Sequence, residues 1–183
     1  MAKISRDDLI VEVQDQLFVQ DYVKQKLIEN VKIIDIKRMA GEDGTFEELV
    51  RLSSDGALEL LPDFKLRQIN RSKLLGGATK AWHLHYNQED VWYVSPDDHM
   101  LLGLWDIREK SPTCNLKMRI VLGAGNSRLV HIPRGVAHGV VNLSPKSGSI
   151  FYLVNQTFNQ EAPDEQRLPW DAAGADFWTP EKG

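Results

Sequence analysis

The sequence predicts an all-β fold, either a barrel or a sandwich, that follows a short helical segment. Its β-branched and apolar residues form many short runs. Clusters of Gly, Pro, Asn, Asp and Ser separate most of these runs, for example at 41–44 and 53–56, as is typical of strands joined by tight turns. Many short strands at this close spacing favour a barrel or a sandwich. The predicted strands span 31–36, 45–52, 64–70, 82–94, 100–107, 117–122, 128–132, 139–143 and 150–158.

The first thirty residues are predicted to be helical. Ser5 is a suitable N-cap, and Asp8 three residues later completes an approximate capping box. Leu9, Val13 and Leu17 recur at a spacing of four, which places them on one face of a helix. That face either packs on the core or serves as an oligomer-forming appendage, and we favour the packed helix.

The chain is predicted to contain one β domain. Its 183 residues fall within the ~100–200 residues of an ordinary domain. We therefore divide it into a helical extension, 1–30, and a β-barrel domain, 31–183. The Pro- and Asp-rich tail after Asn159 is expected to wrap the barrel as irregular structure, with Trp170 and Trp178 as packing residues.

Composition narrows the possible functions. The chain carries 22 Lys and Arg against 26 Asp and Glu, a formal net charge of −4. This mild acidity provides no basic surface for nucleic acid. No apolar run approaches the ~20 residues of a membrane span, and the first residues become acidic too early for a signal peptide. A single cysteine, Cys114, cannot form an internal disulfide. We expect a cytoplasmic protein with neither nucleic-acid nor membrane partners.

Two histidines and a glutamate share one predicted strand. His85 comes two positions after His83, and Glu89 comes four positions after His85, so a continuous strand would place all three side chains on one face. A second segment, 133–142, contains a Pro-Gly turn followed by His138. Imidazoles with one carboxylate suit Fe, Mn, Ni, Zn or Cu. We predict a divalent metal site of His83, His85, Glu89 and His138. The alternative is a histidine-lined pocket without a cofactor.

The two segments together resemble the paired signature of the cupins, which are jelly-roll β-barrels with a site in the barrel mouth. Written as patterns, they are G-x5-H-x-H-x3-E and P-x-G-x2-H-x3-N. In cupins these histidines and the glutamate hold a divalent metal. The sequence departs from the signature at two glycine positions, which are occupied by Pro96 and Ser127.

A longer resemblance depends on the runs Asp-Ile-Arg-x-x-Ser-Pro-Thr at 106–113 and Pro-Arg-Gly-x-Ala-His-Gly at 133–139. Further matching segments are 42–48, 68–72, 84–86 and 170–171. In this order and at nearly this spacing, they resemble the dTDP-4-dehydrorhamnose 3,5-epimerase family, itself a branch of the cupins. The resemblance extends from about Val31 to Trp178.

The resemblance implies an epimerase or isomerase. The family removes protons next to the C4 ketone of a nucleotide-linked 6-deoxy sugar and returns them on the opposite face. His85 matches the catalytic base, and His138 is the second catalytic histidine that the resemblance implies. It also implies a homodimer formed by exchange of sheets between subunits. The residues expected to contact the substrate are Gln68, Asn70, Arg71, Trp82, Arg134 and Phe158.

Several positions depart from the family pattern. Phe158 stands where the family has the tyrosine that acts as opposing acid, and Trp82 replaces a substrate-holding arginine. The lysine that polarises the ketone falls near Val91, and a phosphate-binding arginine becomes Asp43. Asp176 is the nearest counterpart of the late aspartate that orients the catalytic histidine. These departures leave two alternatives: a metal-dependent cupin enzyme of another class, such as an oxygenase, lyase or small-molecule isomerase, and a non-catalytic sugar-binding protein.

Overall fold

Strands account for most of the regular structure of this protein. A computed structural model describes residues 3–20 and 26–181. Helical structure there is confined to Arg6–Asp8 (3-10), α1 (Val11–Gln14) and Ala175–Trp178 (3-10). The strands are β1 (Lys32–Asp35), β2 (Arg38–Gly41), β3 (Gly44–Glu47), β4 (Ala57–Leu58), β5 (Leu61–Lys65), β6 (Gln68–Leu74), β7 (Thr79–Leu84), β8 (Asp90–Val94), β9 (His99–Asp106), β10 (Lys117–Gly123), β11 (Arg128–Ile132), β12 (Val136–Asn142), β13 (Gly148–Val154) and β14 (Gln166–Arg167).

Two five-stranded antiparallel sheets form the barrel. The first sheet has the order β1-β11-β8-β13-β6, and the second has the order β10-β9-β12-β7-β14. Strands β2 and β3 form a separate hairpin, and β4 pairs with β5. Successive strands such as β7 and β8 lie in opposite sheets, so the chain crosses between the sheets repeatedly. This architecture confirms the predicted all-β jelly-roll class.

The main hydrophobic core lies between the two sheets. Trp92 and Val94 of β8 pack there with Leu102 and Leu104 of β9, and all four are buried. Side chains alternate along β9, as the period of a strand requires. Gly103 therefore faces outward, where a Cβ atom would lie 2.6 Å from the Trp178 ring. Only glycine allows the tail to pack this closely against the sheet.

The C-terminal tail covers the outer face of the second sheet. Trp178 is buried there against Trp82, with 4.7 Å between the ring centroids. This contact confirms the packing role expected for Trp178, whereas Trp170 is 53% exposed. The tail is less irregular than expected, because β14 pairs with β7 and extends the sheet. This pairing brings the tail to the edge of the site described below.

The described part of the N-terminal extension, residues 3–20 and 26–30, contains little helix. Ser5 and Asp8 do form the predicted capping box, but in these residues only the 3-10 turn Arg6–Asp8 and α1 are helical. Leu9, Val13 and Leu17 are exposed, so the predicted packed helix face is wrong. A segment this short forms a marginal helix unless its apolar face is buried. Residues 21–25 of the predicted helix lie outside the described residues. Within 3–20 and 26–181, none of the helices combines the length and the apolar character needed to cross a membrane.

Candidate functional site

A cavity of about 530 Å³ opens between the two sheets and the C-terminal tail. Strands β6, β8 and β13 form one wall, and β7 and β12 form the other. Residues 156–167 of the tail close one side. The imidazoles of His83, His85 and His138 all line this cavity, which confirms that the two histidine segments meet.

A loop separates the first histidine segment from the next strand. Strand β7 ends at Leu84 and β8 begins at Asp90, so the predicted continuous strand 82–94 is wrong. The Asp164 carboxylate stabilises this loop by accepting hydrogen bonds from the backbone N–H groups of residues 86, 87 and 88, at 3.0, 2.7 and 2.8 Å. These bonds lower the pKa of Asp164, although burial opposes them.

His85 has a defined tautomer. Its Nδ1 donates a hydrogen bond to the backbone carbonyl of Asp164. Because a carbonyl oxygen can only accept, Nδ1 carries the proton in the neutral ring, and Nε2 carries the lone pair. Nε2 lies 3.3 Å from the Gln88 amide nitrogen and 4.0 Å from Asp90 Oδ1. His85 therefore presents a basic nitrogen to the cavity.

His138 is held in the same tautomer. Its Nδ1 donates to the carbonyl of Val136 at 3.0 Å, and the Trp92 ring packs nearly perpendicular to the imidazole, with 5.3 Å between the ring centroids. Burial lowers the pKa of His138 to about 4, with a smaller contribution from His85, although the Asp90 carboxylate opposes the shift. His138 is consequently neutral at physiological pH, with its Nε2 lone pair facing Asp90 at 3.7 Å.

Among the residues that the structure describes, Asp90 has the carboxylate nearest to these two histidines. It is 4% exposed and accepts hydrogen bonds from Gln88 Nε2 at 2.8 Å and from Trp92 Nε1 at 2.9 Å. One ligand atom each from His85, Asp90 and His138 lie within 4.8 Å of one another. These three residues, which we call the buried triad, could hold a metal ion.

Glu89 does not join the histidines, and its predicted place in the metal site is wrong. Its carboxylate lies 3.1 Å from His131 Nε2 and 3.0 Å from Arg134 Nε. The loop after β7 interrupts the alternation of side chains on which the prediction depended. The adjacent residue, Asp90, therefore points into the cavity instead.

His83 lines the cavity but stands apart from the buried triad. Its Nδ1 lies 3.0 Å from Glu165 Oε1, and Arg167 also contacts that carboxylate at 2.6 Å. Burial and the charge of Arg167 lower the pKa of His83, while Glu165 opposes them. His83 is thus tied to the tail and is not directed at Asp90.

Half of the predicted substrate-binding residues line the cavity. Gln68 and Asn70 share a hydrogen bond of 2.7 Å on β6, and the backbone N–H of Phe158 donates to Gln68 at 3.0 Å. Phe158 lies at the rim and is 67% exposed. Lys80, whose ammonium donates to Ser72 at 2.8 Å, adds a cation to the lining.

Three predicted substrate-binding residues lie elsewhere. Arg71 alternates away from Asn70, donates to Ser149 and packs over the ring of Phe151. Arg134 binds Glu89, as described above. Trp82 is completely buried on the outer face of the second sheet. The two-residue period of a strand explains why the side chains of Arg71 and Trp82 point away from the cavity. Each residue is adjacent in the chain to a residue that lines the cavity and therefore faces the opposite side.

We expect Trp82→Phe to leave the KM for substrate unchanged and to reduce stability. The smaller ring leaves part of the space beside Trp178 unfilled, so the cost should be roughly 1–2 kcal/mol, below the 3–5 kcal/mol typical of Trp→Ala. No hydrogen bond is lost, because the indole Nε1 has no partner among the described residues. Denaturant unfolding and steady-state kinetics check this, and a clear rise in KM would contradict the packing role.

Two tail residues that shape the site were not predicted from the sequence. Asp164 orients His85 and the loop, and Glu165 holds His83. Asp176, the expected counterpart of the orienting aspartate, lies instead in the C-terminal 3-10 turn. The only signal in the sequence was an acidic pair in a tail expected to be irregular, which is too common a feature to identify a site.

Comparison with known proteins decides the family. The profile described as dTDP-4-dehydrorhamnose 3,5-epimerase matches residues 25–178. The chain belongs to this family. That result confirms the predicted family and its enzyme class, sugar-nucleotide epimerases. Curated relatives include the spore coat polysaccharide biosynthesis protein SpsL of Bacillus subtilis (strain 168), which is 36% identical over 145 residues, 79% of this chain and 91% of SpsL.

Other family members agree in sequence and in fold. The probable low-salt glycan biosynthesis epimerase Agl13 of Haloferax volcanii is 27% identical, over 79% of this chain and 89% of Agl13. Among solved structures, RmlC from Legionella pneumophila in complex with dTDP-4-keto-L-rhamnose is 26% identical. Its TM-score is 0.71, over 86% of this chain and 82% of that one.

Proposed function

We propose that this protein epimerises or isomerises a nucleotide-activated 4-keto-6-deoxy sugar, with His85 as the base that removes a proton next to the ketone. The observation that carries the proposal is the locked tautomer of His85, whose Nε2 lone pair faces a cavity large enough for a sugar ring. The ligand named for the Legionella structure, dTDP-4-keto-L-rhamnose, supports the substrate class.

The lining of the cavity suits such a substrate. Gln68 and Asn70 offer amide groups for sugar hydroxyls, and Lys80 offers a positive charge for an anionic group. Of the three cations that the sequence offered for an anionic substrate, Lys80, Arg71 and Arg134, only Lys80 lines the cavity. Val91, near which the family lysine falls, is fully buried on the other face of β8 from Asp90 and cannot polarise a ketone.

Tyr152 is our candidate for the acid that returns the proton. Phe158 has no hydroxyl group, whereas Tyr152 lines the same cavity from β13. β13 belongs to the first sheet and β7, which precedes His85, belongs to the second. A substrate between the sheets would therefore meet a base on one face and an acid on the other, which is what inversion at carbon requires.

Exchange with deuterated water tests this assignment. We expect the protein to incorporate deuterium next to the ketone of dTDP-4-keto-6-deoxyglucose, as seen by NMR, and to form an epimer. We expect Tyr152→Phe to keep the exchange but lose most of the epimer, because general acid catalysis typically contributes about 10²–10⁴-fold. Binding without any exchange would overturn the proposal and favour the non-catalytic sugar-binding alternative.

A metal-dependent reaction is the second candidate, and the buried triad favours it. The predicted set of His83, His85, Glu89 and His138 does not assemble, as shown above, but His85 and His138 meet Asp90. A divalent metal at that point would supply polarisation of a carbonyl oxygen.

The homodimer and the cytoplasmic location stay predictions.

A further inference from the structure

Gln88 lies beside the reactive atom of the proposed site. It belongs to the loop between β7 and β8, where its backbone N–H donates to the Asp164 carboxylate at 2.8 Å. Its side-chain nitrogen, Nε2, lies 3.3 Å from His85 Nε2 and 2.8 Å from Asp90 Oδ1. The carboxamide of Gln88 is therefore within one hydrogen-bond length of the atom that would take the substrate proton.

The surroundings of the Gln88 carboxamide fix which way it points. His85 Nε2 carries a lone pair, because the proton of the neutral ring is on Nδ1, which donates to a backbone carbonyl. Asp90 Oδ1 is a carboxylate oxygen and accepts as well. Both neighbours need a proton donor, so the nitrogen of the carboxamide faces them and the oxygen, Oε1, faces away.

The Oε1 atom of Gln88 is left as a free acceptor. Among residues 3–20 and 26–181 it has no hydrogen-bond donor, and it is not sealed from solvent. Gln88 lines the cavity, so this oxygen is available to a bound sugar. A hydroxyl group that reached Oε1 would donate a hydrogen bond to it, whereas a methyl group in the same place would leave the acceptor unpaired.

The two carbons next to the C4 ketone of the proposed substrate differ in this respect. In 4-keto-6-deoxyglucose, C3 carries a hydroxyl group and C5 carries a methyl group. A general base works at about hydrogen-bond distance from the group that it deprotonates, so the reacting carbon lies close to both His85 Nε2 and the Gln88 carboxamide. A substituent on that carbon is one bond further away and falls within reach of Gln88.

We propose that Gln88 determines specificity by directing His85 to C3. Its Oε1 accepts a hydrogen bond from the C3 hydroxyl group when C3 faces the base, and it has no such partner when C5 does. The longer contact with His85 is given up to the substrate, while the shorter bond to Asp90 keeps the side chain in place. This inference rests on the proposed function, in which His85 removes the proton.

Deuterium exchange at the two carbons tests this selectivity. The full-length protein is incubated with dTDP-4-keto-6-deoxyglucose in deuterated water, and NMR gives the exchange rates at C3 and at C5 separately. The parent protein is expected to exchange C3 faster than C5. Gln88→Leu should lower the ratio of the C3 rate to the C5 rate by roughly 3–10-fold, as expected for the loss of one neutral hydrogen bond.

The ratio of the two rates isolates the contact with the hydroxyl group. A change in the basicity of His85, or a partial loss of folding, would alter both rates together and leave their ratio unchanged. Gln156→Leu is the matched control, because Gln156 lines the cavity from the tail and makes no hydrogen bond to His85 or Asp90 among the described residues. Its ratio should equal that of the parent.

A second substrate gives a measurement on the parent protein alone. The analogue without the C3 hydroxyl group, dTDP-4-keto-3,6-dideoxyglucose, should show a lower C3-to-C5 ratio than the first substrate. Each ratio is divided by the ratio for exchange without protein, which removes the effect of the hydroxyl group on the acidity of C3. With Gln88→Leu, the two substrates should give the same corrected ratio.

The outcomes separate this inference from the proposed function. An unchanged ratio in Gln88→Leu, an equal fall in Gln156→Leu, or faster exchange at C5 by the parent would overturn the role of Gln88 and leave His85 as the base. The same corrected ratio for both substrates with the parent would also overturn it. Exchange at neither carbon would overturn the proposed function, and this inference with it.

Discussion

Replacing His85 with Asn is expected to reduce deuterium exchange on the sugar substrate by about 10²–10⁴-fold, the usual contribution of a general base. The Asn side-chain amide can still donate to the Asp164 carbonyl, which His85 Nδ1 does in the parent. It offers no basic nitrogen in place of Nε2. The loss should therefore appear in the rate of exchange, with the fold retained.

His99→Asn is the matched control. His99 is exposed at the start of β9, outside the cavity lining. NMR measures the exchange rates of both variants in deuterated water, and thermal melting checks that both are folded. Exchange by His85→Asn at the parental rate would contradict the role of His85 as base.

Replacing Asp106 with Asn is expected to lower the free energy of unfolding by about 3 kcal/mol. The carboxylate is fully buried and accepts hydrogen bonds from Arg108 Nε at 2.8 Å, Ser111 at 2.5 Å and Thr113 at 2.6 Å. Breaking a buried charge pair typically costs about 3–5 kcal/mol. We expect a loss at the lower end of this range because the Arg108 side chain is 23% exposed and stays hydrated.

The same network predicts a pH dependence of stability. Burial by itself raises the pKa of Asp106, but hydrogen bonds from Arg108, Ser111 and Thr113 outweigh it and hold the pKa well below its usual range. Because the folded pKa lies below the unfolded value of about 3.9, the stabilisation is complete above that pH and is lost as the pH falls further.

Urea unfolding at pH 7 and at lower pH measures both effects. The difference in stability between the parent and Asp106→Asn should shrink as the solution becomes acidic. Asp97→Asn, at an exposed turn position, should follow the parent at every pH. A constant difference between the parent and Asp106→Asn would show that the carboxylate's charge is not the source of the stabilisation.

Local patterns in the sequence determined the fold class and the family. Runs of β-branched residues between turn clusters predicted strands, because both the side-chain preference and the turn chemistry act over a few residues. The run 106–113 and the Pro-Arg-Gly turn before His138 carried the family resemblance. The two histidine segments also predicted that His83, His85 and His138 would share a pocket. That prediction depends only on the alternation of side chains along a strand and on the order of the segments.

The tertiary structure decided which carboxylate meets the histidines. The choice between Glu89 and Asp90 depends on a loop whose conformation is stabilised by Asp164, a residue 76 positions from Gln88. No pattern within the loop reveals that contact. When the loop is ignored and one continuous strand is assumed, the alternation of side chains places Glu89 on the same face as the histidines.

The tertiary structure also decided the roles of Trp82 and the tail. The family resemblance assigned Trp82 to substrate binding. Its face of β7 is instead covered by Trp178 of the C-terminal tail, which also packs over Gly103. Glu165 reaches His83 only because β14 pairs with β7. Such pairings depend on burial and hydrogen bonding between distant segments, and the residues of either segment alone do not specify them.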